Sequence, residues 1–335
     1  MANIPDPRSA PPIRWGILGP GGIAGTFAWA AQQYTRSRIV AVGSRARERA
    51  EGFAARYGVD RAHGGYEALV GDPEVEAVYV ATPHSEHREH ALLAIEAGKH
   101  VLVEKAFTRS EREAQDVFEA ADRQGVFVME AMWTRHLPHV AELREVIASG
   151  EIGEVVGVFA DHGQNMLHLP PTHRLHNPAL AGGALLDLGV YPVSFALDLL
   201  GDPDRVTALG SLTQTGVDGQ VTIGLGFGER AQARLHTTLW AKTPTTAVVF
   251  GTAGRIEGAG DFYRPNTFEV VDNAGNRRAG GAEAPDGFQY QIAEAARCIA
   301  DGRRESDRMT WQGTLAVMRT LDEVRRQVGV RYPGE

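Results

Sequence analysis

An α/β fold is predicted, with a doubly wound parallel sheet in the N-terminal half and an α+β domain built on a mostly antiparallel open sheet in the C-terminal half. Two observations predict it. Over residues 13–130, short apolar runs alternate with stretches of helical periodicity, the pattern of right-handed βαβ units. From residue 204 to about 271, strand-like runs follow one another with only turns such as Asp218-Gly219 between them, the pattern of antiparallel pairing. A chain of 335 residues agrees with about two domains. The boundaries fall at 13–130 and 131–335, after a loose tail over 1–12 that carries Pro5, Pro7, Pro11 and Pro12.

The expected strands of the first domain are 13–18, 38–43, 77–81, 100–103 and 126–129. They are rich in Val, Ile and Leu with little alternation, as strands buried on both faces are. Residues 46–57 place Ala46, Ala50, Phe53, Ala54 and Tyr57 on one helical stripe and Arg47, Glu48, Glu51 and Arg56 on the other. Gly58, Gly98 and Gly125 each follow such a stretch, where a left-handed C-cap is needed. In the second half the pattern gives a helix over 138–149, a strand over 154–161, an irregular stretch rich in His and Pro over 163–180, and a helix over 183–200. Helices over 288–300 and 310–328 close the chain.

Composition excludes several classes. A net charge of -8 argues against a nucleic-acid partner, since affinity for phosphate backbones rests on clustered Lys and Arg. A single cysteine, Cys298, rules out an intrachain disulfide and a Cys-rich zinc site. It lies in a run in which Ile292, Ala295, Ala296 and Ile299 share a helical face, and it is read as a buried, inert thiol. The tail lacks the apolar core of a secretory signal, and no window is read as reaching the ~18 apolar residues of a membrane span. No membrane partner and a cytoplasmic location are expected.

The run Gly19-Pro20-Gly21-Gly22-Ile23-Ala24 directly follows the first strand and opens the first helix. In that context it reads as a phosphate-binding loop of the Rossmann type. Gly19 permits the tight turn, Gly21 lets the backbone approach a diphosphate, and Ala24 allows close helix–strand packing. The free N–H groups and helix dipole, with Gly22 and Ile23 in the first turn, then favour the anion. About twenty residues on, the second strand ends in Ser44-Arg45 rather than the acid that would bind a ribose 2′-hydroxyl. Both can donate to a 2′-phosphate, so NADP is expected over NAD, with Arg47 and Arg49 as possible helpers.

Ligands of an open α/β sheet bind outside the carboxyl ends of its strands. There the sequence places Thr82, Pro83, His84 and His87 after one strand and Glu104-Lys105 after the next. These segments, with 97–105 (Ala-Gly-Lys-His-Val-Leu-Val-Glu-Lys), 129–135 (Met-Glu-Ala-Met-Trp-Thr-Arg) and 182–191 (Gly-Gly-Ala-Leu-Leu-Asp-Leu-Gly-Val-Tyr), resemble the glucose–fructose oxidoreductase / inositol dehydrogenase (Gfo/Idh/MocA) family. The second-half segments look most like its branch of dimeric dihydrodiol dehydrogenases and NADP-dependent D-xylose dehydrogenases. The resemblance implies that Lys105 is the lysine of the family's Glu-Lys-Pro motif and that Asp187 and Tyr191 occupy its Asp-x-x-x-His/Tyr positions. It also implies that His87 shapes the nicotinamide pocket.

The residues agree with that chemistry. On a helix, Asp187 and Tyr191 form an i, i+4 pair on one face. A tyrosine is too weak a base at its reference pKa of ~10, and a neighbouring Lys⁺ lowers such a value by roughly 1–3 units. Tyr191 is therefore assigned as acid/base, with Lys105 orienting the substrate and Asp187 positioning Lys105 or a second hydroxyl. Trp133, Arg135, His173 and Arg174 are the candidates for lining the substrate pocket, Trp133 as a flat apolar face. Ala106 stands where the family has proline. Since non-proline cis bonds cost several kcal/mol, this loop is expected to depart from a cis geometry. No metal is expected, because the histidines lack an acidic or thiolate companion in a zinc pattern.

The function expected is hydride transfer between NADP(H) and a secondary alcohol or carbonyl carbon of a sugar, polyol or cyclic diol. Two other readings stay open here: a non-catalytic NADP-sensing protein, and a lyase or glycosidase that cycles a retained nucleotide through transient oxidation. A homodimer through the open sheet, or a homotetramer, is expected from the apolar strand runs such as 221–227.

Overall fold

The apolar runs of the first half pair side by side. In the computed structural model, which describes residues 4–282 and 284–334, β1 (Arg14–Leu18), β2 (Arg38–Gly43), β3 (Arg61–His63), β4 (Ala77–Val80), β5 (His100–Val103) and β6 (Val128–Glu130) form a parallel sheet. Its order is β3-β2-β1-β4-β5-β6, the dinucleotide-binding order with its switch point between β1 and β4. Burial accounts for the composition: every residue of β4 and β6 is buried. β3 escapes the sequence reading because it is three residues long and polar, paired only to β2.

Helices α1 (Gly22–Tyr34), α2 (Arg47–Tyr57), α3 (Tyr66–Val70), α4 (His87–Glu96) and α5 (Glu111–Gln124) connect these strands. Gly58 and Gly125 cap α2 and α5 in the left-handed region at φ +64 and +67, where a Cβ would be strained.

The chain divides into two compact units: Pro5–Trp133 with Asp286–Thr314, and Thr134–Pro285 with the residues from Leu315 onward. They differ from the expected 13–130 and 131–335 in the tail, which joins the first unit from Pro5, in the boundary, which falls after Trp133, and in Asp286–Thr314, which returns to the first unit. Helix α8 (Phe288–Ala300) belongs to the nucleotide-binding unit, where it packs on α1 and on the turn Pro7–Ser9. The expected loose tail is likewise tied down. Arg297 Nη2 donates to the Asp6 carbonyl at 2.9 Å, and Ala10 is buried; residues 1–3 of that tail lie outside the described residues. On α8, Cys298 is buried and burial pushes its thiol up to about 12, which keeps it unreactive.

The second unit is built on a sheet of eight strands among the described residues, ordered β14-β13-β12-β11-β7-β10-β9-β8. These are β7 (Val155–Gly163), β8 (Arg205–Leu212), β9 (Asp218–Phe227), β10 (Ala231–Thr238), β11 (Ala247–Gly251), β12 (Gly254–Gly258), β13 (Thr267–Asp272) and β14 (Arg277–Gly281). All pair antiparallel except β7 with β10. On β10 the buried Ala233, Leu235 and Thr237 alternate with the more exposed Gln232, Arg234 and His236, so one face is covered and the other is open. Helix α7 (Val190–Leu200) packs on β7 and β10, and α6 (Pro138–Ala148) on β14.

One expectation fails here. The segment Pro178–Leu200 does reach the length and apolarity of a membrane span, but 94% of its apolar window is buried inside the protein. It is the core of this unit. Helix α9 (Trp311–Val328) is the last helix among the described residues.

Candidate active site

The glycine loop meets the physical demands of a diphosphate cradle. Gly19 has φ +92, and a Cβ there would lie 2.9 Å from the Ala81 carbonyl, so β4 leaves room only for glycine. Gly21 and Gly22 are different: a Cβ on either would meet nothing within 4 Å. The protein's own packing does not require glycine at these two positions, and the open space lies at the N-terminus of α1, whose N-cap Gly21 makes no side-chain hydrogen bond. That space, lined by helix N–H groups, fits a diphosphate. Ala24 is buried against the sheet and Ile23 is partly exposed, as a loop–helix junction of this kind needs.

At the end of β2, Ser44 is buried and Arg45 is exposed. The Arg45 guanidinium is a hydrogen-bonding partner of Tyr66, whose phenol burial pushes up. Arg47 is committed elsewhere, to Glu51 at 2.8 Å.

The loops after β4 and β5 are stitched together by histidines. His84 Nε2 lies 3.2 Å from the Lys105 carbonyl oxygen. His87 is buried with Nδ1 2.9 Å from the Ala106 carbonyl and Nε2 2.8 Å from that of Thr82. Burial pushes its pKa down to about 4, and the carbonyls oppose that shift without cancelling it. The neutral ring donates through one nitrogen at a time. Thr82 Oγ1 is 2.9 Å from His90 Nδ1. Glu104, assigned from sequence to the cofactor, is instead held by the Tyr79 hydroxyl and accepts from the Lys105 N–H at 3.3 Å. The expected departure from cis at residue 106 is overturned: the Lys105–Ala106 peptide bond is cis, with both flanking carbonyls on histidines. Trp133 packs against Phe288 with ring centroids 4.7 Å apart.

In the second unit, Asp187 and Tyr191 are both buried. The expected continuous α-helix is a π-turn over Leu185–Gly189 that runs into α7; such turns recur at functional sites. Asp187 Oδ1 accepts from Arg174 Nη1 at 3.1 Å, which brings two of the sequence candidates together. Tyr191 stands among rings that sequence reasoning missed. Its centroid is 5.3 Å from His162 and 5.0 Å from Tyr263, and His162 stacks on Tyr263 at 4.4 Å and 23°. His162 is the penultimate residue of β7, and Tyr263 follows β12 in a loop. Neither carries a local signal.

Two candidates have other work. Arg135 Nε donates to Ser194 Oγ at 2.9 Å and its Nη2 to the Ser194 carbonyl at 3.1 Å, with Asp198 at 3.9 Å. Its buried guanidinium staples α7. His173 caps the short turn Arg174–His176, accepting from Leu175 N–H at 3.3 Å. No group of three His, Cys, Asp or Glu side chains is placed to hold a metal among the described residues.

A parallel sheet in dinucleotide-binding order with a glycine cradle, in a chain that also carries a buried Asp–Tyr helix face on a second sheet, defines a nicotinamide-dependent oxidoreductase. Residues 13–132 match the oxidoreductase family with an NAD-binding Rossmann fold, and residues 140–257 match the GFO/IDH/MocA C-terminal domain; the chain belongs to the Gfo/Idh/MocA family. It is 37% identical to a D-xylose 1-dehydrogenase (NADP(+)) of Hypocrea jecorina, over 96% of this chain and 93% of that one. It is 34% identical to a trans-1,2-dihydrobenzene-1,2-diol dehydrogenase of Danio rerio, over 96% and 98%. Among solved structures, an aldose-aldose oxidoreductase from Caulobacter crescentus complexed with glycerol matches with a TM-score of 0.87 at 25% identity, covering 95% of this chain and 98% of that one.

Proposed function

We propose that the protein is an NADP-dependent dehydrogenase acting on a CH–OH group of a sugar, polyol or cyclic diol. The observation that carries this reading is the Asp187–Tyr191 helix face, in a chain 37% identical to an enzyme named for D-xylose and NADP(+). When bound, the cofactor supplies the carbon that accepts or gives the hydride. Gly19, Gly21, Gly22, Ile23 and Ala24 would hold its diphosphate, Ser44 and Arg45 its 2′-phosphate, and Thr82, Pro83, His84 and His87 its nicotinamide end. Tyr191 takes the proton of the substrate hydroxyl in oxidation and returns it in reduction. Lys105 orients that hydroxyl, and Asp187 with Arg174 holds a neighbouring one.

Fluorescence titration with NADP⁺ and NAD⁺, then nicotinamide absorbance with aldoses, inositols and dihydrodiols, tests the reading. NADP⁺ is expected to bind more tightly. Arg45→Ala is expected to weaken NADP⁺ by about 10- to 100-fold, the worth of a charged hydrogen bond, and to leave NAD⁺ unchanged. Equal affinity for the two nucleotides would remove the NADP assignment. Binding without turnover on any of the alcohols would remove the dehydrogenase.

The reading extends to assembly. Phe159, Leu209 and Leu212 stand exposed on the second sheet, Leu209 by 79%, and we place the contact between two copies of the chain there. Sedimentation is expected to give a dimer or a tetramer, with Phe159→Glu and Leu209→Glu together lowering the mass. A wild-type monomer at micromolar concentration would refute it.

A further inference from the structure

The turn that opens the Asp187–Tyr191 helix is clamped from several sides. Gly182 leaves no room for a Cβ, which would lie 2.5 Å from the Arg174 carbonyl oxygen. The Gly182 carbonyl accepts from the Tyr332 hydroxyl at 2.8 Å, and Thr237 Oγ1 donates to the Ala184 carbonyl at 3.3 Å. On the N–H side, Gly183 donates to the Leu175 carbonyl at 2.9 Å, and the next donors turn to a carboxylate. Ala184, the N-cap, offers no side-chain acceptor, and the Leu185 N–H donates to Asp218 Oδ2 at 2.6 Å. Asp218 reaches in from the first residue of β9, and it is wholly buried. Its carboxylate passes so close to the turn that a Cβ on Gly183, at φ +120, would lie 2.1 Å from Oδ1. Oδ1 has no hydrogen-bond partner among the described residues.

A remote carboxylate thus does what a local N-cap side chain does elsewhere, filling an orphan N–H at the positive end of a helix. We propose that Asp218 is a positioning residue for the reaction: its charge fixes the first turn of the helix that carries Asp187 and Tyr191, so that the proton on Asp218 sets how firmly those two side chains are held. The proposal rests on the dehydrogenase reading for its link to turnover, but the structural coupling it asserts does not.

The surroundings favour a proton that comes and goes near neutrality. Burial pushes the Asp218 carboxyl up to about 7 from 3.8, and the N–H groups of Leu185, Asp218 and Ala184 and the charge of Arg325 oppose that shift without cancelling it. Arg325 of α9 is itself paired with Asp322 at 2.7 Å. The packed elements also carry Asp187 in the turn, Asp161 and His162 on β7, Arg205 on β8, Arg319, Glu323 and Arg326 on α9, and Tyr332 beyond it. Arg234 and His236 of β10 lie on the open face of the sheet. A group whose pKa is raised in the folded state loses stability as pH climbs through the window from the unfolded to the folded value. The wild type is therefore expected to become less stable between about pH 4 and pH 7. A residue kept for packing alone has no reason to carry that penalty.

The test is Asp218→Asn in the full chain. It keeps the shape and an acceptor for Leu185 but removes the charge. Amide hydrogen exchange of peptides covering Leu185–Tyr191 is followed from pH 6 to 8, corrected for intrinsic rates. Wild-type protection is expected to rise about tenfold, the difference between a charged and a neutral hydrogen bond, and the variant's to stay flat. kcat at saturating NADP⁺, with whichever aldose or diol the panel identifies, is expected to be lower in the variant than in the wild type above pH 7 and to converge with it below pH 7, where the wild-type Asp218 is itself protonated; the pH dependence that Tyr191 gives both proteins cancels in that ratio. The KM for NADP⁺ is expected to stay within twofold. The variant is also expected to melt higher than the wild type at pH 8, a slower and more stable protein, which loss of a merely structural residue would not give. Flat exchange in the wild type overturns the proposal even if the variant does not fold, and so do matching pH profiles of protection in the two proteins. Absence of turnover with the exchange pattern intact counts against the dehydrogenase reading alone.

Discussion

Tyr191→Phe is expected to lower kcat by about 10²- to 10⁴-fold, the usual worth of general acid–base catalysis, with nucleotide affinity unchanged. The substitution removes one oxygen. The ring keeps its contacts with His162 and Tyr263, and the helix keeps its Arg135 staple, so denaturation midpoints are expected to move little. What is lost is the proton acceptor, and that interaction matters only while the substrate O–H bond is breaking. Loss of kcat with an unchanged KM is the mark of an interaction made in the transition state alone. Tyr263→Phe is the control: it alters the same cluster and is expected to change kcat by less than about tenfold. Equal losses at the two positions would move the acid/base role to Tyr263, and a Tyr191→Phe enzyme that turns over normally would remove the mechanism.

What was legible in the sequence was local or periodic. The glycine cradle follows a strand and opens a helix within a few residues, so its context could be read directly. The buried parallel strands announced themselves by unbroken apolar composition. The Asp187–Tyr191 spacing, together with the resemblance its segment carries, pointed to the second half of the chemistry. The rest was set by contacts distant in sequence. His162 of β7 and Tyr263 of a loop stack although they are far apart in sequence, and no periodicity connects them. Arg135 looked like a pocket residue because an arginine near a motif has many uses. Only the arrival of Ser194 and Asp198 from α7 shows the structural contacts that its guanidinium makes. The assignment of α8 to the nucleotide-binding unit was hidden for the same reason, since an amphipathic helix does not state which surface its apolar face will meet. Residue 106 shows a local rule overridden: the sequence argued against cis, and the loop held by His84 and His87 adopts it.

Gly21→Val is expected to abolish measurable NADP⁺ binding, a loss of at least about 100-fold, or roughly 3 kcal/mol, while the protein remains folded. The two halves of that expectation rest on different observations. Gly21 has φ -91 and ψ -175, extended backbone that valine adopts readily, and a Cβ there meets no protein atom within 4 Å. The penalty to folding is then the poorer N-cap, about 1 kcal/mol. The same emptiness makes the substitution severe for a ligand. A diphosphate that approaches the N–H groups of α1 must occupy the volume that the two methyl groups would fill, and the hydrogen bonds it makes there are charge-assisted. Gly19→Val would not separate these effects, because a side chain at φ +92 and 2.9 Å from the Ala81 carbonyl disturbs the loop itself. Thermal melting and nucleotide titration of Gly21→Val therefore decide whether this cradle is a ligand site or a turn. A variant that melts like the wild type and no longer binds NADP⁺ assigns the open space to the diphosphate, whereas one that still binds would place the nucleotide elsewhere on the sheet.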